Sequence, residues 1–108
     1  MAKTITVEEA TSLMVQRIVS LFGPERIILF GSQARGDMDE DSDVDLLVVL
    51  PECQDRKAAT IAMMKALADL PVSKDILVTS TSEIETRGKL VSTVLYPALR
   101  EGRVLYAR

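Results

Sequence analysis

Apolar residues recur at helical spacing near the start of the chain, at Ala10, Leu13, Met14, Ile18 and Leu21. A stripe at i, i+3 and i+4 is the mark of an amphipathic helix. Thr6 and Glu9 make a capping-box pattern before it, and Gly23-Pro24 stops it. The pattern predicts a helix over residues 7–21. The period then changes. Arg26 to Phe30 (RIILF) is short, apolar and β-prone, a first strand. Gly31-Ser32 follows at once, then a turn or short helix to Arg35-Gly36. Residues 37–42 read as an acidic loop. Val44 to Leu50 (VDLLVVL) is a second strand, stopped by Pro51. Residues 54–70 read as a second long helix closed by Pro71, with Ile61, Met64, Leu67 and Ala68 toward the core. Asp75 to Thr79 is a third strand. Ser82 and Glu85 pose as the cap of a last helix reaching Tyr96. Pro97 must kink or restart that helix, and Gly102 ends it. Val104 to Tyr106 is a short tail strand or docking segment.

No repeat, low-complexity stretch or linker interrupts this order, so residues 1–108 read as one domain. The fold class expected is α/β (α+β): a small mixed sheet of three to four strands flanked by helices. The connection between the first two strands is short, which favours antiparallel pairing there.

Composition narrows the chemistry. The chain has no histidine, which removes imidazole acid–base catalysis and histidine-ligated zinc. It has one cysteine, Cys53, so an intrachain disulfide is impossible. A net charge of −3 and a pI near 4.9 argue against stable nucleic-acid binding. The N-terminus carries no apolar signal core, and no run approaches the ~20 apolar residues of a membrane span. A cytoplasmic protein without a membrane partner is expected.

The acidic stretch is the most informative. Six carboxylates lie between Asp37 and Asp45, immediately before an apolar strand. Asp37, Asp39, Glu40 and Asp41 read as a solvated loop. A calcium loop starting at Asp37 would need Gly and Glu where Ser42 and Val48 stand. Asp43 and Asp45 differ from the others. Strand alternation puts them on one face, about 7 Å apart. Leu47 and Val49 continue that face, and Val44, Leu46 and Val48 form the other, so the strand is expected to be covered on both sides. Two carboxylates at its opening end can grip Mg²⁺, which takes oxygen ligands and keeps positions for water and phosphates. Asp75 opens the third strand and joins them if that strand lies alongside.

Gly31-Ser32 ends a strand and opens a turn, a geometry that exposes backbone N–H groups to a phosphate. Arg35 stands three residues on, where its guanidinium can reach the same oxygens. Taken alone, Gly-Ser is an ordinary tight turn. Followed ten residues later by Asp-x-Asp, it sets a phosphate cradle beside a two-carboxylate metal grip. The charge that would compensate those acids is Mg²⁺, brought with a nucleoside triphosphate.

Gly31-Ser32, Ala34-Arg35-Gly36 and the stretch Ser42 to Leu46 (SDVDL) resemble the signature of the DNA polymerase beta nucleotidyltransferase superfamily. The short length resembles its minimal nucleotidyltransferases, the MNT proteins, and the resemblance extends to residues 100–106 (REGRVLY). It implies that Asp43 and Asp45 bind the catalytic metals, two Mg²⁺ ions with ATP as substrate. Asp75 matches the family's third carboxylate, a further ligand or an aid to deprotonating the acceptor. Gly31, Ser32 and Arg35 would orient the phosphates. The resemblance further implies an antitoxin that transfers AMP from ATP to a tyrosine hydroxyl of a HEPN toxin partner. Two other readings stay open: an antitoxin that neutralises by binding alone, and a small-molecule transferase of the antibiotic-modifying kind. The second usually carries a further helical domain, for which this chain ends too soon. A polymerase adding long tails fits least, because no basic stripe is present.

Overall fold

In a computed structural model of the chain, residues 5–31, 44–83 and 102–108 are described. Helix α1 (Val7–Phe22) starts where Thr6 accepts a hydrogen bond from the Glu9 N–H at 3.0 Å. It ends at Gly23, whose left-handed φ of 58° lets its N–H reach the Val19 carbonyl at 3.3 Å. Strands β1 (Arg26–Phe30) and β2 (Val44–Leu50) follow the bounds that their composition predicts. Helix α2 (Arg56–Ala66) is capped by Asp55, which accepts from the Ala58 N–H at 2.9 Å. Strands β3 (Lys74–Ser80) and β4 (Arg103–Ala107) complete a four-stranded sheet in the order β3-β2-β1-β4. The tail segment is therefore a strand, paired with β1.

The sheet is mixed. β1 pairs antiparallel with β2 and with β4, and β2 pairs parallel with β3. Both helices cover one face. Met14 and Ile18 of α1 and Met63 of α2 pack with Leu67, Val44, Leu46, Val48 and Ile27. Ile28, Leu47 and Val49 form a second buried cluster on the other face, beside Phe30 and Leu77. β2 is thus buried on both faces, as its unbroken apolar run requires.

The buried face of each helix is narrower than the predicted stripe. Along α1 the buried residues are Ala10, Met14 and Ile18, whereas Leu13 and Leu21 are 37% and 63% exposed. In α2 Met63 is fully buried, Met64 is partly buried against the core and Ile61 is exposed; beyond its end Leu67 is buried and Ala68 exposed. A helix turns about 100° per residue, so either neighbour of an apolar pair can face inward, and the sheet selects one. α2 is also shorter than residues 54–70. Leu67 is its C-cap, and the chain leaves the helix through a turn before Pro71. Leu70 still reaches the core. Arg17 ties that turn to α1, donating to the Ala66 carbonyl at 3.1 Å and to both carboxylate oxygens of Asp69. The hydrogen bond from Arg17 holds the Asp69 carboxyl below its ordinary range. Both side chains are partly or largely exposed, so the pair adds little to stability.

A helical turn begins before the expected cap at Ser82. Thr81–Glu83 is already helical, and the Ser80 hydroxyl accepts from the Glu83 N–H at 3.1 Å. Glu85, the partner expected for Ser82, lies outside the described residues. The rest of the last predicted helix lies outside the described residues.

Thr79 is fully buried on β3, and its hydroxyl finds no hydrogen-bond partner among the described residues. Thr79→Val keeps the branched shape and removes the stranded donor. It should stabilise the fold by about 1 kcal/mol, a rise of several degrees in thermal melts. A fall of that size would show that the hydroxyl is satisfied.

Candidate active site

Residue type and strand register build the site together. Asp45 is the second residue of β2 and the cross-strand partner of Phe30, the last residue of β1. On its other side it stands in register with Asp75 of the parallel strand β3. Register partners on neighbouring strands share a face, with backbones about 4.8 Å apart. The two carboxylates therefore stand side by side, on the face that carries Leu47 and Val49 and opposite the helices. Asp45 is half-buried and Asp75 exposed, so the pair spans the boundary between packed sheet and solvent. Asp75 does lie alongside, as the third carboxylate was required to.

Gly31 follows Phe30 with φ at 73°, in the left-handed region. An ideal Cβ built on it would lie inside van der Waals contact with Oδ2 of Asp45 and 3.3 Å from its Cγ. Gly31 thus rests directly against the carboxylate. Of the expected site, Gly31, Asp45 and Asp75 come together at one end of the sheet. Ser32, Arg35 and Asp43 lie outside the described residues.

Like charges placed side by side repel unless something compensates. Two hard oxygen donors at the mouth of an otherwise apolar face fit Mg²⁺ better than a soft metal. No group of three or more metal-ligating side chains occurs among the described residues. Asp45 and Asp75 place two carboxylate side chains at adjacent register positions, and Asp43 lies outside the described residues. A groove of about 470 Å³ elsewhere runs between α1 and β4, with Val15, Leu29 and Leu105 on its floor and Glu8 and Arg103 at its rim. Leu29 belongs to the helix-covered face, so that groove lies across the sheet from the carboxylates. Among the described residues no helix is long and apolar enough to cross a membrane.

The sequence profile of a nucleotidyltransferase domain matches residues 12–105. Among known proteins, a candidate protein adenylyltransferase of Methanocaldococcus jannaschii is 64% identical over 28 residues. That segment is 26% of this chain, and the match spans only 28% of the relative's length. Among solved structures, a candidate nucleotidyltransferase from Sulfolobus solfataricus superposes with a TM-score of 0.59 at 21% identity, covering 100% of this chain and 93% of that one. A toxin–antitoxin structure solved with AMP-PNP superposes at 0.63 with 23% identity, covering 89% of this chain and 73% of that one. At such identities these neighbours establish the fold, a mixed sheet with helices.

Proposed function

This chain is a member of the nucleotidyltransferase domain family, and from that premise we propose that it transfers AMP from ATP to a hydroxyl of a protein partner. The acceptor we assign is a tyrosine of a HEPN toxin, the cofactor Mg²⁺, and the role that of an antitoxin. Residues 1–108 act as one catalytic unit. The observation that carries the reading is the register pairing of Asp45 with Asp75 beside the positive-φ turn at Gly31.

Each residue has a task in the transfer. Asp45 and Asp75, with Asp43, would hold Mg²⁺. When bound, the ion supplies positive charge to the triphosphate and to the attacking oxygen. The turn at Gly31 and Ser32, with Arg35, holds the β- and γ-phosphates so that pyrophosphate leaves in line with the attack. The acceptor oxygen bonds to the α-phosphorus, the α–β bridging bond breaks, and the hydroxyl proton passes to a carboxylate. Asp75 is the exposed member of the pair, and so the one an incoming hydroxyl meets first.

Two likenesses support the finer assignments. The Methanocaldococcus jannaschii relative, a candidate protein adenylyltransferase, favours a protein acceptor and an adenylyl donor. The toxin–antitoxin neighbour with AMP-PNP favours a toxin partner and an adenine nucleotide. Intact-mass spectrometry of the partner after incubation with this protein, ATP and Mg²⁺ tests the proposal. One or more AMP increments are expected, and they should vanish with Asp45→Asn. A toxin silenced with no change of mass would replace the transferase by an antitoxin that acts through binding.

A further inference from the structure

We infer that Gly31 is a positioning residue for Asp45: its missing side chain leaves the volume in which the carboxylate sits next to Asp75. The metal-binding part of this inference rests on the nucleotidyl-transfer reading. A positive φ alone would not require glycine, because asparagine and aspartate also visit the left-handed region. The second constraint is steric. A Cβ at residue 31 would overlap Oδ2 of Asp45, with the Asp45 Cγ at 3.3 Å and its Cβ at 3.6 Å. Every residue other than glycine brings that atom.

What gives way decides the consequence. Phe30 and Asp45 are register partners, and the next pair, Leu29 and Leu46, is buried in the helix-covered core. Shifting either backbone would disturb the ladder and that core together. The Asp45 carboxylate is the light end of a side chain and turns about two bonds. A methyl group at residue 31 therefore displaces the carboxylate and leaves the strands in place. The protein stays folded while its two acids lose their alignment. Gly31 thus acts through Asp45, over and above any backbone contact with a phosphate.

The test is a cycle of four full-length proteins: wild type, Gly31→Ala, Asp45→Ala and the double variant. Mn²⁺ affinity is read by electron paramagnetic resonance, metal-free ATP affinity by calorimetry, and stability by thermal melts. Gly31→Ala should weaken Mn²⁺ binding by about tenfold or more, as losing a ligand's support does. It should also lower the melting temperature about twice as much beside Asp45 as in the Asp45→Ala background, where the overlap is gone. Equal losses of melting temperature in both backgrounds overturn the inference. So does a Gly31→Ala protein that keeps its Mn²⁺ affinity and loses ATP binding instead, since the glycine would then serve the phosphate directly. Wild-type protein that binds no Mn²⁺ would count against the transferase reading, and the melting-temperature coupling would then decide the contact by itself.

Discussion

Asp45→Asn and Asp75→Asn should each lower nucleotidyl transfer by on the order of 100-fold to 1,000-fold, the usual loss when one preorganised electrostatic group is removed from a reacting centre. Neither should unfold the protein. Asn keeps the size of the side chain and one acceptor oxygen, and what disappears is the negative charge. Asp75 is exposed and in register with Asp45, so neutralising it relieves repulsion in the metal-free protein. The melting temperature of Asp75→Asn should then stay within a few degrees of wild type or rise, because surface substitutions usually lie within about 0.5 kcal/mol. Initial rates of AMP incorporation into the partner, beside apo melts, measure both effects. A collapse of the melting temperature would make the pair structural. Undiminished transfer would remove these acids from the chemistry.

Leu46→Ala should cost the most stability. Leu46 is fully buried on the central strand β2, between Leu29 of β1 and Ile76 of β3, in the cluster that receives both helices. Truncating a leucine in such a place costs about 2–5 kcal/mol, because the β-ladder cannot relax to fill the cavity. For a domain near this size that is a fall of roughly 10–30 °C in melting temperature. It is also a large share of the ~5–15 kcal/mol that holds a typical domain together. Leu13→Ala is the internal control. Leu13 follows the predicted apolar stripe but is 37% exposed, and its loss should be far smaller. Denaturant midpoints of the two variants decide the matter: equal costs would mean that the buried face of α1 is assigned wrongly.

The contrast between Leu13 and Leu46 shows how local order and tertiary order divide in this protein. Sequence by itself determined the elements that rest on neighbouring residues. Thr6 caps α1 and Gly23 ends it through short-range hydrogen bonds. β1 and β2 take their predicted bounds because each is a β-prone apolar run between strong breakers. Burial of β2 on both faces follows from apolar residues at consecutive positions. The antiparallel pairing of β1 and β2 follows from the short connection between them. The spacing of Gly-Ser and Asp-x-Asp marks the candidate site, and the profile match over residues 12–105 agrees with the family that this spacing resembles.

Tertiary structure decided what depends on partners distant in the chain. Met63 is fully buried while Met64 packs only at the edge of the core, because the sheet, fixed by β2 and β3, sets the rotation of α2. Ser80 caps the helical turn after β3 because the end of that strand places its hydroxyl at the Glu83 N–H. Asp75 could be named as a candidate, but only the parallel register of β2 and β3 brings it beside Asp45. The overlap that forbids a side chain at Gly31 arises across the β1–β2 ladder. The physical reason is common to all four. Local propensity and hydrogen bonding act over a few residues and can be read along the chain. Strand register and helix rotation minimise the energy of the whole core at once, and no short window of sequence contains that sum.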